Sequence, residues 1–78
     1  MIGYSQRIVS ANKSANQKML GVKLGRLAIK LNMSVIDIAN HCNVSRTAVY
    51  AWFTGQSDVS SKHKQEVNRL IEFFKKGL

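Results

Sequence analysis

Seventy-eight residues, 45% of them apolar, suffice for one compact domain with a modest core and little stability in reserve. Twelve Lys and Arg against four Asp and Glu give a formal charge of +8, which favours a polyanionic partner: nucleic acid, an anionic membrane surface or an acidic protein. One cysteine, Cys42, and two histidines, His41 and His63, are too few for a disulfide or a structural zinc site, so no metal and no cofactor are expected. No apolar run is long enough to cross a bilayer and the N-terminus lacks the order of a signal peptide, so the expectation is a soluble, cytoplasmic protein with no membrane partner.

The chain contains no proline, and helix ends must be read from Ser, Asn, Asp and Gly. Residues 1–13 mix isolated apolar side chains with polar ones, and Ser10-Ala11-Asn12-Lys13 reads as an N-terminal arm or linker. Tyr4, Ile8, Ala11 and Ala15 also fall at helical spacing, so the alternative there is an extra helix. Residues 14–78 are expected to form the main domain. Ser14 and Gln17 have the spacing of a capping box and predict a helix from about Ala15 to Leu31. Leu20, Leu24, Leu27 and Leu31 then stack into one core-facing stripe. Lys23, Arg26 and Lys30 form a neighbouring basic row, read as the solvated face of that helix rather than as a phosphate-binding stripe.

Asn32 suits a left-handed helix stop, with Met33 turned inward after it. Ser34 offers an N-cap oxygen, and Asp37 three residues on can reach back to complete the cap. A short helix of about Val35 to Cys42 follows. Asn43 repeats the left-handed stop, Val44 is an apolar turn residue, and Ser45 caps a third helix of about Arg46 to Thr54, ended by Gly55. The last helix runs from about Ser61 to Lys76, capped by one of Ser57, Asp58, Ser60 and Ser61. Val67, Leu70, Ile71 and Phe74 line its core side, and Lys75 and Lys76 sit at the end that the helix dipole makes negative.

Two short helices around a tight turn are what a helix-turn-helix requires, here at about residues 35–54. Ala39 is small where the helices must cross, Val44 is the buried turn residue, and Ile38, Cys42, Val49 and Trp52 fall at core positions. Leu31-Asn32-Met33-Ser34, Asp37-Ile38-Ala39, Asn43-Val44-Ser45-Arg46-Thr47-Ala48-Val49 and Trp52-Phe53-Thr54-Gly55 occur in that order. In these stretches the chain resembles the Cro and phage-repressor (XRE-like) family, over about Leu20 to Leu70. It departs from the family at Asn32 and Asn43, where glycine is usual. It departs again at Val35, where the family often has a glutamine whose phosphate or base contact valine cannot make.

The resemblance implies an all-α fold: a single compact domain of four to five helices, of lambda-repressor-like type. It implies a sequence-specific, double-stranded DNA-binding transcriptional regulator, a Cro-like repressor of phage or prophage kind. Such a regulator acts in the cytoplasm of a bacterial or phage-infected cell, as a homodimer on a palindromic operator. By the same resemblance Arg46, Thr47 and Ala51 face base edges, while Ser34, Ser45 and Thr54 meet the sugar-phosphate backbone.

The chemistry of these residues fits those roles. Arg46 can pair with guanine O6 and N7, an interaction worth about 1–3 kcal/mol of discrimination. An arginine one step past an N-cap is repelled by the helix dipole, so a purely surface role leaves its placement unexplained. Thr47 and Ala51 offer methyl groups to thymine. Tyr50, one turn after Arg46, suits a base edge or a phosphate and equally a core aromatic. Lys62 and Lys64 are further backbone contacts, and Arg7 and Lys13 can reach DNA from the arm. Trp52 reads as core, and Cys42 as a small buried hydrophobe.

Asp37, His41 and Ser45 recur every four residues, but Ser45 is wanted as a cap and no oxyanion hole accompanies them. No catalytic residue and no enzymatic activity are expected, and Asp37 and His41 remain as an exposed pair. Phe73 and Phe74 cannot both be buried on one helix face, which makes the last helix the expected dimer surface and the N-terminal arm the other candidate. Two other readings stay open. One is a DNA-targeting subunit of a phage terminase or transposition machine, which usually continues into further domains. The other is a protein-interaction module that binds an acidic partner with the same helices.

Overall fold

Ser5 starts the first helix: its backbone is extended and its Oγ accepts the Ile8 amide, so α1 runs Gln6–Ser14. A computed structural model describes residues 4–77, and among them four more helices follow: α2 Leu20–Leu31, α3 Val35–Cys42, α4 Arg46–Phe53 and α5 Ser61–Lys76. No described residue is in a strand. None of the helices is long and apolar enough to cross a membrane.

Of the two readings of residues 1–13, an arm or an extra helix, the chain is helical from Gln6 on, and residues 1–3 lie outside the described residues. The helix predicted from about Ala15 starts instead at Leu20, with Met19 as an N-cap that gives no side-chain bond. The reason is local. Ser14 belongs to the last turn of α1, where its hydroxyl cannot cap a new helix. Asn16 then forms a turn of its own, its Oδ1 accepting the Lys18 amide at 2.9 Å and its carbonyl accepting the Met19 amide at 3.1 Å.

The next two stops use one device. Among the described residues, Asn32 and Asn43 are the two non-glycine positions with positive φ, at 55° and 58°. Each lets the following amide fold back: Met33 donates to Ala28 O at 2.8 Å and Val44 to Ala39 O at 3.0 Å, the bond that closes the end of a helix when its last residue turns left-handed. Ser34 and Ser45 then cap α3 and α4 by accepting the amides of Asp37 and Ala48. The carboxylate of Asp37 makes no return bond to the backbone. After α4 the chain turns at Gly55, whose φ of 76° suits glycine. Ser60 stands at the N-cap position of α5 without a side-chain bond.

The second helix, α2, is central, packing against α1, α4 and α5, while α3 spans α4 and α5. Leu24, Ala28, Ile38, Val49, Phe53 and Val67 are buried where these helices meet, and each large apolar side chain removed from water contributes about 1.5–3 kcal/mol. Leu20, Leu27, Leu31 and Leu70 are half-buried at the margin of the same core. Two glycines of α2 bring α4 in close. A Cβ on Gly21 would stand 2.6 Å from Trp52 Cβ, and one on Gly25 would stand 2.8 Å from both Phe53 Cγ and Asn12 Nδ2. Backbone approach of this kind fixes how far α4 stands out from the body.

The first helix, α1, is held by polar groups. Asn12 is 2% exposed, and its Nδ2 donates to Phe53 O at 2.7 Å and to Val22 O at 3.3 Å. Arg26 satisfies carbonyls at the C-terminal end of α1, donating to Lys13 O at 3.1 Å and Asn12 O at 3.4 Å. Arg26 thus leaves the solvated row expected of it, while Lys23 and Lys30 remain exposed. At the other end of α1 the Tyr4 hydroxyl donates to Met33 O. Burial, with a smaller contribution from Tyr50, pushes the Tyr4 phenol up to about 12.

Candidate functional site

Helix α4 is amphipathic over only eight residues. Val49, Trp52 and Phe53 are buried, and the opposite side carries Arg46, Thr47 and Tyr50, all exposed, with Ala51 half-buried beside them. Positions 46, 47, 50, 51 and 54 recur at the spacing of one helix face, so the residues expected at base edges share the outward side of a single short rod. Tyr50 is 38% exposed, which takes it out of the core. Trp52 is core, its ring 5.9 Å from that of His63.

Arg46 is exposed and has no ion-pair partner among the described residues. The ion pairs among the described residues are His41–Glu66, Arg69–Glu66 and Lys75–Glu72. They occupy two of the four acids elsewhere and leave the Arg46 guanidinium without a counter-charge among the described residues. Positive charge therefore lies at the N-terminal, already positive end of α4, where no described acid offsets it.

The residues expected at the sugar-phosphate backbone divide by geometry. Ser34 and Ser45 accept amide protons as caps, which leaves each hydroxyl proton available to donate outward. Thr54 differs, because its Oγ1 donates to Tyr50 O at 2.8 Å, so the proton needed for a phosphate is already used within the helix. Lys62 and Lys64 are exposed on the first turns of α5. Lys64 borders a separate recess with Lys18 and Asp58, whose lining does not include Arg46. Arg7 and Lys13 are exposed at opposite ends of α1, roughly 9 Å apart along its axis. Arg7 lies between Ser5 and Ile8, which line a recess with Arg46 and Tyr50, whereas Lys13 borders a recess with Arg26 and Lys30.

The expected pair of Asp37 and His41 does not form. His41 Nε2 bonds Glu66 Oε2 instead, tying α3 to α5 through partly exposed groups. Cys42 is buried, and desolvation first, with the nearby Glu66 charge second, pushes its thiol pKa up, the direction opposite to an activated nucleophile. No cluster of three His, Cys, Asp or Glu occurs among the described residues.

Several neighbours of the site escape a reading of the sequence. Tyr4 and Ser5, just before α1, and Ile8 within it line a recess together with Ser34, Val35 and Ile36 from the start of α3 and Arg46 and Tyr50 from α4. The helical spacing of Tyr4 and Ile8 is the one signal that could have found them. Ile36 is 51% exposed at the edge of this recess. The chain matches no protein-family model, no curated protein and no solved structure.

Proposed function

We propose that the protein is a sequence-specific, double-stranded DNA-binding transcriptional regulator of Cro-like repressor type, with α3, the turn at Asn43-Val44-Ser45 and α4 acting as a helix-turn-helix. The observation that carries this reading is the outward face of α4. Its unpaired arginine, its threonine and its tyrosine stand together on a short helix anchored from behind by Val49, Trp52 and Phe53. An α-helix of this size fits the major groove of B-DNA. Arg46 reads guanine, Thr47 and Ala51 present methyl groups to thymine, and Tyr50 reaches a base edge or a phosphate. Ser34 and Ser45 donate to phosphates near the helix starts, with Lys62 and Lys64 adding charge that is indifferent to sequence. The formal charge of +8 supports the same partner.

One such unit touches few base pairs, so the reading includes a two-fold dimer on a palindromic operator, with half-sites about 34 Å apart. Phe73, 67% exposed on α5, is the surface proposed to meet the second copy. The site of action is the cytoplasm of a bacterial or phage-infected cell.

The test is selection of bound duplexes from a random pool, followed by gel-shift titration of the wild type and Arg46→Ala. Enrichment of a palindrome, with preference relaxed at one position per half-site in the variant and the helical signal unchanged, is the expected result. Weak, unselective binding at every salt concentration would overturn the regulator and favour a machine subunit or a protein-interaction module.

A further inference from the structure

We infer that the recess between the first turns of α1 and α3 and the outer face of α4 binds a small amphipathic carboxylate, one with a flat apolar body. Three independent features meet there. The recess encloses about 340 Å³, within the range of small-molecule sites. Its walls are largely apolar: Ile8, Val35 and Ile36 with the rings of Tyr4 and Tyr50. Ile36 and Tyr50 are two of the three large apolar side chains that the described residues expose, so apolar surface left wet by folding is concentrated at this place.

Among the described residues Arg46 is the single charged one in the lining, and it has no ion-pair partner there. Ser5 and Ser34 stand in the same lining, each with its oxygen accepting a cap bond and its proton left to donate. A bare inorganic anion would satisfy these donors and leave the apolar walls wet. A neutral hydrocarbon would cover the walls and leave the guanidinium unpaired beside it, which is unfavourable. A carboxylate on a ring or short chain answers both, with the anion toward Arg46 and the body against Ile8 and Ile36.

Because Arg46 and Tyr50 belong to the DNA-facing side of α4 as well, such a ligand and a duplex exclude one another. The ligand acts as an inducer that releases the operator. This second half rests on the DNA-binding reading, while the binding of the carboxylate does not.

The experiment uses 2-naphthoate as probe and its uncharged isostere 2-naphthamide as control, each titrated into the full chain and followed by amide resonances in heteronuclear NMR. Saturable shifts centred on Ile8, Ile36 and Tyr50 are expected, with a dissociation constant near about 1 mM, ordinary for a ligand of this size. Naphthamide should bind about tenfold more weakly, and Arg46→Gln should abolish the difference between the two. Ile36→Ser, at an exposed position that should not disturb folding, should weaken both. Shifts scattered over the surface, equal affinity for acid and amide, or naphthoate binding unaffected by Arg46→Gln would overturn the site. Gel-shift competition then tests the regulatory half. Displacement of a selected duplex by naphthoate supports it, and simultaneous binding overturns it. If no duplex is selected while naphthoate binds through Arg46, the DNA reading fails and the carboxylate site stands. Selected DNA with no naphthoate binding gives the reverse.

Discussion

Replacing Asn12 tests how α1 is held against the rest of the molecule. Its amide gives one proton to Phe53 O at 2.7 Å and one to Val22 O at 3.3 Å, and Phe53 ends α4, where carbonyls lack partners within the helix. Asn12→Ala removes both bonds and leaves the Phe53 carbonyl buried without its donor, which costs about 1–3 kcal/mol, and the lost side-chain packing adds to this. A total near 2–3 kcal/mol lowers the melting temperature by about 8–24 °C in a domain of this size. Asn12→Asp keeps the size but turns a donor into an acceptor facing two carbonyl oxygens. The buried carboxyl then holds its proton more tightly folded than unfolded, so the folded form binds more protons and stability falls as pH rises above about 4. The deficit of Asn12→Asp relative to wild type should therefore be smallest in acid and grow toward neutrality. Urea denaturation followed by Trp52 emission, at several pH values, measures all three proteins. A loss below about 0.5 kcal/mol for Asn12→Ala, or an Asn12→Asp deficit that ignores pH, would refute the hydrogen-bond argument.

Gly21→Ala places a Cβ 2.6 Å from Trp52 Cβ and 2.9 Å from Trp52 Cα and O. Overpacking should outweigh the gain of about 1 kcal/mol in helix propensity and destabilise by about 2 kcal/mol, visible as a lower urea midpoint. Tyr4, whose phenol is raised from 10.0 to about 12, contributes stability that is fully present below pH 10 and lost as pH rises toward 12. Alkaline denaturation should thus be less steep in Tyr4→Phe over that interval, once its lower starting stability is allowed for. If Lys62 and Lys64 meet DNA phosphates, each substitution by Ala should reduce the salt dependence of affinity by about 0.9 in the log–log slope without changing which duplex is selected. Unchanged slopes would remove them from the interface.

Much of the fold is legible residue by residue, because most helix ends are set by neighbours in sequence. Ser34 and Ser45 cap, Asn32 and Asn43 turn left-handed, and the bounds of α3 and the start of α4 follow from such local chemistry. The first helix is different. Its one buried residue is Asn12, a type that signals a loop, and its stability comes from bonds to residues ten and more positions away. The Ser14 and Gln17 spacing misleads for the same reason: whether Ser14 caps a new helix or ends an old one depends on Arg26 and Phe53 holding α1 in place. The outward face of α4 can be read from periodicity alone. The recess beside it cannot, since one wall comes from α1 and exists only after docking. Thr54 is the other lesson, because a hydroxyl that suits a phosphate on paper is turned by geometry onto a carbonyl one turn back.

The chain turns out of α2, α3 and α4 at Asn32, Asn43 and Gly55, and no X–Pro bond occurs anywhere in the chain. Refolding therefore has no isomer to wait for and lacks the phase of tens of seconds that prolyl bonds impose. Diluted from urea, the chain should recover the emission of sheltered Trp52 in one rapid step, and a newly synthesised copy is ready to act without help from a prolyl isomerase.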